Sequence, residues 1–194
     1  MIKVAITGNI CSGKTFVLNR LKTFGFLTFS SDKIIKNHIY KMGTVKENVA
    51  QKFPEAINRS GDINRNELAR LIFGETKKRL VLESIIYPHL NSLRKKFIYK
   101  SYLLGARLSF YEVPLLFEKN IQEDFDKIIL VTCSKRIQKI RAQKRGNLSE
   151  EKLQKILKTQ MSDNKKKNKV NFIINTDLEK FSTTIKIKKI IKRI

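Results

Sequence analysis

The feature that most constrains the fold of this chain is a glycine-bounded loop near the N-terminus. Residues 2–6 form a largely apolar run that predicts a buried strand, and residues 14–24 carry apolar side chains at helical spacing. Between them, residues 8–15 read Gly-Asn-Ile-Cys-Ser-Gly-Lys-Thr, which matches the phosphate-binding pattern G-x-x-x-x-G-K-[ST] at every specified position. The alternative is an ordinary glycine-containing turn, but the strand before and the helix after favour a phosphate loop.

The residue types of this loop suit a nucleoside triphosphate. Glycines let the backbone curl so that its N–H groups face the phosphates, and the following helix presents its positive end. Lys14 would place a charge on the β- and γ-phosphates, and Thr15 would give Mg²⁺ an oxygen ligand. We therefore expect ATP and Mg²⁺ as cofactors, with nucleotide contacts from Gly8, Cys11, Ser12, Gly13, Lys14, Thr15 and Phe16.

The cysteines and the apolar runs exclude several classes of protein. Cys11 and Cys133 lie in unrelated contexts, so neither a disulfide framework nor a zinc site is indicated. No apolar run approaches the length of a membrane span, and the N-terminus resembles no leader. We expect a cytoplasmic protein without a membrane partner.

The net charge of +24 on 194 residues could indicate nucleic-acid binding. However, Lys, Ile and Asn make up 69 residues, which indicates a general compositional bias. The strongest local excess lies at 134–169, with 13 Lys or Arg against three acids. Because phosphorylated substrates need such a field, we expect a small-molecule substrate and no nucleic acid.

The remaining pattern predicts alternating strands and helices. Further strands are predicted at 26–29, 108–113, 127–132 and 171–175, with helical patterns at 137–144 and 151–161. Residues 45–102 show almost no strand signal. The sequence thus predicts an α/β fold with a five-stranded parallel sheet, in which ligands bind at the carboxyl ends of the strands.

We expect one domain over 1–194, with a core at about 1–42 and 106–194, a helical insert at about 43–105 and a helical lid at about 136–168. A final helix at 186–194 carries an apolar face that we expect to cover the sheet, the alternative being contact with a membrane or a partner.

Two carboxylates follow predicted strands. Asp32 could accept the proton of an attacking hydroxyl, or it could be a helix N-cap, since Ser-Ser-Asp is good capping material. Glu112 could orient metal-bound water, or it could lie in a surface turn.

Arg141 and Arg145 are four residues apart, so both could clamp phosphates from one face of a lid helix. Their basic surroundings leave a solvated helix as the alternative. His38 and His89 are isolated and are predicted to be structural.

With these residues in view, the chain resembles the dephospho-CoA kinase family nearly from end to end. Ser30-Ser31-Asp32 takes the place of the family's D-A-D turn, and residues 61–65 resemble its D-G-x-x-x-R segment. The most specific match is Glu-Val-Pro-Leu-Leu-Phe-Glu at 112–118, which resembles D-[IV]-P-L-L-F-E. Residues 143–145 and 156–161, which include Gln160, resemble the family's lid and the helix after it.

The resemblance implies a three-layer P-loop kinase fold that transfers the γ-phosphoryl group of ATP to the ribose 3′-hydroxyl of dephospho-CoA. It implies Asp32, Lys14 and Arg141 as catalytic residues, Arg145 as a nucleotide contact, and Thr15 with Glu112 at the metal. The helical insert would hold the pantetheine end of the acceptor. Implied substrate contacts are Asp32, Arg65, Pro114, Leu115, Leu116 and Glu118.

The chain departs from the family pattern at a few positions. Cys11 stands where the family usually has glycine, Ser30 replaces its first acidic residue, and residues 174–178 differ from its I-D-N-N-G segment. The alternative functions are those of another small-molecule kinase of the same fold and of a nucleic-acid-binding NTPase. The sequence does not give the oligomeric state, and we expect a monomer or weak homo-oligomer.

Overall fold

The computed structural model describes residues 1–146, 148–177 and 179–194. In chain order its α-helices and strands are β1 (Ile2–Thr7), α1 (Lys14–Thr23), β2 (Leu27–Ser30), α2 (Ser31–Asn37), α3 (Gly43–Lys52), α4 (Arg65–Ile72), α5 (Thr76–Leu103), β3 (Leu108–Glu112), β4 (Lys127–Thr132), α6 (Lys135–Lys144), α7 (Glu150–Lys158), α8 (Asp163–Lys167), β5 (Phe172–Asn175) and α9 (Lys180–Ile191).

The five strands form one parallel sheet in the order β2-β3-β1-β4-β5. This confirms the predicted sheet, with strand ends displaced by about one residue. β1 is central, and its two neighbours in the sheet, β3 and β4, lie on either side of it. A parallel sheet whose order reverses around a central strand opens a crevice at the carboxyl end of that strand. The loop at 8–15 leaves β1 at this point.

Backbone contacts divide the chain into two compact units, residues 1–30 with 101–194, and residues 31–100. The first unit contains the sheet with α1, α6, α7, α8 and α9. The second contains α2, α3, α4 and most of α5, and it includes most of the predicted helical insert.

The core of the first unit lies between the sheet and the helices α1 and α9. Apolar side chains of β1 and β4 pack against Val17, Leu18 and Leu21 of α1. Ile187 and Ile190 of α9 are buried in the same cluster, so the expectation that the final helix covers the sheet is confirmed. α9 begins earlier than predicted, at Lys180, because tertiary packing overrides the weak helical signal of its threonine-containing first turns.

The second unit contains buried apolar side chains and a capped helix. Val45, Val49 and Leu68 are buried, and the Asn64 side chain accepts hydrogen bonds from the N–H groups of Asn66 and Glu67 at the start of α4. No helix of the described residues is both long enough and apolar enough to cross a membrane.

Candidate functional site

The phosphate loop (residues 8–15) has a backbone that two glycines make possible. Gly8 has φ 144°, and a Cβ there would meet the Val131 carbonyl oxygen at 2.1 Å. Gly13 has φ 97°, and a Cβ there would meet Thr176 Oγ1 at 3.0 Å. Both glycines are therefore required by backbone conformation and by the close approach of neighbouring chain.

Cys11 occupies a third left-handed position in this loop, with φ 61°. This conformation explains why glycine is the usual family residue there, since a side chain disfavours it. Cys11 is nevertheless buried, packed with Ala142 of α6 and Leu153 of α7. The packing of its thiol offsets part of the backbone cost.

Lys14 opens α1 and folds its side chain back over the loop. Its Nζ donates hydrogen bonds to the carbonyl oxygens of Gly8 at 2.8 Å and Asn9 at 2.9 Å. The ammonium group therefore lies along the concave backbone that a phosphate chain would occupy, as the motif predicts. The first turn of α1 adds N–H groups that lack intrahelical partners.

On the sheet side of the loop lies a buried carboxylate. Glu112 ends β3 and is only 1% exposed. Its Oε2 accepts a hydrogen bond from Ser30 Oγ at 2.5 Å, and its Oε1 accepts one from Thr15 Oγ1 at 3.4 Å. The alternative that Glu112 is a surface-turn residue is therefore wrong, and the two predicted metal ligands, Thr15 and Glu112, lie together.

On the helix side of the loop lies Arg141 of α6. Its guanidinium donates to Thr176 Oγ1 at 2.8 Å, to the Thr176 carbonyl at 2.7 Å and to the Cys11 carbonyl at 3.4 Å. Arg141 is thus not on a merely solvated helix face. Arg145 directly follows α6 as its C-cap residue, and its side chain is exposed.

Two glutamines also hold the loop, and sequence reasoning recognised only one of them. Gln138 of α6 donates from Nε2 to the Ile10 carbonyl at 2.6 Å, and Gln160 Oε1 accepts from the Ile10 N–H at 2.9 Å. Gln160 was part of the family match, whereas Gln143, the glutamine of the matched lid segment, is exposed. Gln138 carries no sequence signal beyond its place three residues before Arg141.

The segment after β5 closes the loop from a third direction. Thr176 Oγ1 donates to the Ser12 carbonyl at 2.8 Å, and Asp177 Oδ1 accepts from the Ser134 N–H at 2.7 Å. Burial by itself raises the pKa of the Asp177 carboxyl, but hydrogen bonds from Ser134 and Asn175 hold it below its ordinary value. The chain thus keeps an ordered connection here although it departs from the family pattern. Leu178, which lies in that departure, is outside the described residues.

The segment that begins at Pro114 packs inward from the end of β3. Leu116 and Phe117 are buried, Leu115 and Pro114 are half-buried, and the Pro114 carbonyl accepts from Thr7 Oγ1 at 3.5 Å. Glu118 Oε1 accepts from the Met161 N–H at 2.7 Å. Its Oε2 is buried with no hydrogen-bond partner among the described residues.

Two predicted site residues, Asp32 and Arg65, belong to the second unit. α2 begins at Ser31, so Asp32 lies in the first turn, and the alternative that it is the N-cap is wrong. Asp32 is exposed, two residues after the end of β2. Arg65 is exposed at the start of α4, and its charge opposes the effect of burial, which raises the pKa of Tyr40.

A cavity of about 710 Å³ lies beside the loop between α6, α7 and the segment that leads into α8, with Asn9, Cys133 and Asp163 in its wall. Burial raises the pKa of the Cys133 thiol to about 11, so this cysteine is protonated and unreactive at neutral pH. Burial also raises the pKa of Asp163, against the opposing charge of Lys166.

The first unit thus brings a glycine cradle, a lysine, a hydroxyl–carboxylate pair and an arginine to one strand end. These residues fit a nucleotide with its metal ion, because Mg²⁺ is usually held by one or two protein oxygens together with phosphates and water. Within the described chain no group of three or more His, Cys, Asp or Glu side chains forms a separate metal site.

Comparison with known proteins agrees with this geometry. A family model described as dephospho-CoA kinase (CoaE) matches residues 2–180. The dephospho-CoA kinase of Bartonella quintana is 33% identical over 178 residues, which cover 91% of this chain and 90% of that protein.

Among solved structures, TT1252 from Thermus thermophilus superposes with a TM-score of 0.84 at 26% identity, covering 100% of this chain and 97% of that one. The dephospho-CoA kinase from Campylobacter jejuni has the same fold, with a TM-score of 0.62 at 22% identity and coverage of 98% and 96%. The fold is therefore that of the P-loop kinases, and the chain belongs to the dephospho-CoA kinase family.

Proposed function

We propose that this chain transfers the γ-phosphoryl group of ATP to the 3′-hydroxyl of the ribose of dephospho-CoA, giving coenzyme A and ADP. Membership of the family supports the substrate. The single structural observation that carries the chemistry is the phosphate loop with Lys14 folded over its carbonyl oxygens and the Thr15–Glu112 pair beside it.

The loop and the first turn of α1 would bind the nucleotide. Backbone N–H groups of the loop and of the first turn of α1 would hold the phosphates, and Lys14 would exchange its carbonyl partners for phosphate oxygens. Nucleotide contacts are proposed for Gly8, Cys11, Ser12, Gly13, Lys14, Thr15, Phe16 and Arg145.

Thr15 and Glu112 would hold Mg²⁺, which neutralises charge on the phosphates when it is bound. Ser30 supports this arrangement because its hydroxyl fixes one oxygen of Glu112 and leaves the other turned towards Thr15. The chain therefore keeps an oriented carboxylate here although it lacks the first acidic residue of the family turn.

Asp32 would accept the proton of the attacking hydroxyl, and Arg141 would stabilise charge on the transferred group. Phosphoryl transfer depends mainly on positioning and charge neutralisation, so a single base and a single arginine are sufficient partners for Lys14. Support for Asp32 comes from its exposure and from its place two residues after β2. Support for Arg141 comes from its contact with Cys11 of the loop.

The helical insert at about 43–105 would bind the acceptor, with a contact from Arg65. Further acceptor contacts are proposed in the segment after β3, at Pro114, Leu115, Leu116 and Glu118. Residues 136–168 would act as a lid. We propose a cytoplasmic monomer or weak homo-oligomer without a nucleic-acid partner.

The decisive experiment measures ADP release by the purified protein with ATP, Mg²⁺ and a panel of hydroxyl acceptors. Dephospho-CoA should be strongly preferred. Preference for a nucleoside or another small hydroxyl compound would make the protein a different small-molecule kinase. ATP hydrolysis stimulated by duplex DNA would make it a nucleic-acid-dependent NTPase.

Asp32→Asn tests the proposed base in the same assay. The variant keeps the shape of the side chain but loses its basicity, so turnover should fall by about 10²-fold with little change in melting temperature. Glu47→Gln, which removes an exposed carboxylate of α3 in the same unit, is the control. Retained turnover in Asp32→Asn would contradict the assigned role even if dephospho-CoA remains the substrate.

A further inference from the structure

Lys166 of α8 is a buried charge that the proposed mechanism does not use. Its side chain is 0% exposed, whereas both of its lysine neighbours, Lys165 and Lys167, are exposed. A buried ammonium group is costly unless it is paired and hydrogen-bonded. Its partners therefore indicate what it holds in place.

Those partners come from two different parts of the first unit. Lys166 Nζ lies 3.1 Å from Glu118 Oε1, in the segment after β3, and donates to Asn9 Oδ1 of the phosphate loop at 3.0 Å. The same Glu118 oxygen accepts from the Met161 N–H at 2.7 Å. One ammonium group thus connects α8, the 114–118 segment and the loop.

Asn9 links Lys166 to the phosphate loop, because it has contacts with both Lys166 and Lys14. Its side-chain oxygen faces Lys166, while its carbonyl oxygen accepts from Lys14 Nζ at 2.9 Å and from the Ser12 N–H at 3.2 Å. Asn9 is itself only 8% exposed. Its carbonyl can hold Lys14 and Ser12 in place only if the peptide is fixed, and the Lys166 hydrogen bond fixes it from the other side.

We propose that Lys166 is a positioning residue that holds the phosphate loop in its nucleotide-binding conformation through Asn9. Because its side chain is fully buried among protein atoms, it does not touch the phosphates. Glu118 supplies the negative charge that offsets the cost of burying Lys166. Asn9, itself a residue of the loop, connects Lys166 with Lys14 and Ser12 through its hydrogen bonds.

This inference rests on the proposed use of the loop to bind nucleotide, so its test measures ADP binding without any acceptor. Isothermal titration calorimetry would give the Kd of ADP for the wild type, Lys166→Met, Asn9→Ala and the double variant. Lys167→Met removes an exposed lysine of the same helix and is the matched control.

We expect Lys166→Met and Asn9→Ala each to weaken ADP binding by about tenfold, the scale of one charge-assisted hydrogen bond. The double variant should be no weaker than the weaker single variant, because both changes break one connection. Lys167→Met should bind ADP like the wild type.

A purely structural ion pair gives a different pattern. Lys166→Met would then lower the melting temperature without changing the Kd, or its effect would multiply with that of Asn9→Ala, and either result would overturn the inference. Failure of the wild type to bind ADP would instead contradict the proposed function.

If Lys166→Met does not fold, the pair Glu118→Gln with Lys166→Met removes both charges of the ion pair and should restore folding. Weak ADP binding should persist in this variant because Asn9 still lacks its donor. Binding of wild-type strength there, or in Asn9→Ala, would remove Lys166 from any role in positioning the loop.

Discussion

The two sides of the phosphate loop are built in different ways. On the sheet side, Glu112 and Ser30 face each other across paired strands, since Ser30 is the register partner of Glu112 in the β2–β3 ladder. On the helix side, Arg141 and Lys166 reach the loop through long side chains from α6 and α8.

The difference shows how each side keeps its geometry. Backbone pairing fixes the sheet side, so the short side chains of Ser30 and Thr15 are enough to reach the Glu112 carboxylate. The helix side depends on side-chain contacts with loop carbonyls and with Asn9, so its geometry can change when one contact is lost. These properties support the proposed metal ion on the sheet side and the proposed binding and release of phosphates on the helix side.

The largest effect is expected for Lys14→Met. Lys14 is proposed to neutralise charge on the phosphates, which would lie between the two sides of the loop. Turnover should fall by about 10³-fold while the melting temperature changes little, since the glycine cradle is unaltered. Lys22→Met, an exposed lysine of α1, should behave like the wild type. A variant that melts normally and keeps wild-type turnover would remove Lys14 from the mechanism.

The next largest effect tests the sheet side. Glu112→Gln can still accept from one of the two hydroxyls, Ser30 or Thr15, and donate to the other, but it removes the charge. Turnover should therefore fall by about 10²-fold, and more Mg²⁺ should be needed for half-maximal rate. The measurement is turnover against Mg²⁺ concentration, with Glu123→Gln as an exposed control. An unchanged Mg²⁺ requirement would show that the sheet side does not hold the metal.

On the helix side, Arg141→Ala should lower turnover by about tenfold or more, because it removes charged hydrogen bonds at the loop. Arg145→Ala should have a smaller effect, since its side chain is exposed. Lys152→Ala, on the exposed face of α7, should have almost none.

The turnover of these three variants is compared with that of the wild type at low and at high salt. Equal losses in all three variants that disappear together at high salt would show that the basic segment is only a diffuse attractive field.

The smallest effect is expected for Ser30→Ala, which removes one of the two hydroxyls that donate to Glu112. Turnover should fall by about fivefold, the scale of about 1 kcal/mol for a single hydrogen bond. Ser30→Thr keeps the donor and should restore the rate. If Ser30→Ala matches the wild type in turnover, the Ser30 hydroxyl is not needed to orient the carboxylate.

Much of this arrangement could be predicted from the sequence. The loop pattern, the strands on each side of it and the position of Glu112 at a strand end led to the correct sheet and to a correctly placed Thr15–Glu112 pair. These predictions succeeded because they depend on local signals, namely apolar runs, glycines and residues at strand ends.

The supporting residues around the loop could not be predicted. Gln138, Lys166 and Thr176 are ordinary polar residues, and Lys166 lies in a run of three lysines whose other two members are exposed. Helical periodicity gives no reason to choose one of the three. Only the packing of α8 against the loop and the 114–118 segment selects Lys166.

The sequence by itself determined the phosphate loop at the end of β1, because this loop is a local pattern whose glycines, lysine and threonine are specified by position. The tertiary structure decided which charges in a chain of net charge +24 are buried and paired. The physical reason is that burial of an ammonium group requires partners from distant segments. For Lys166 these are Asn9 and Glu118, which only the folded sheet brings together.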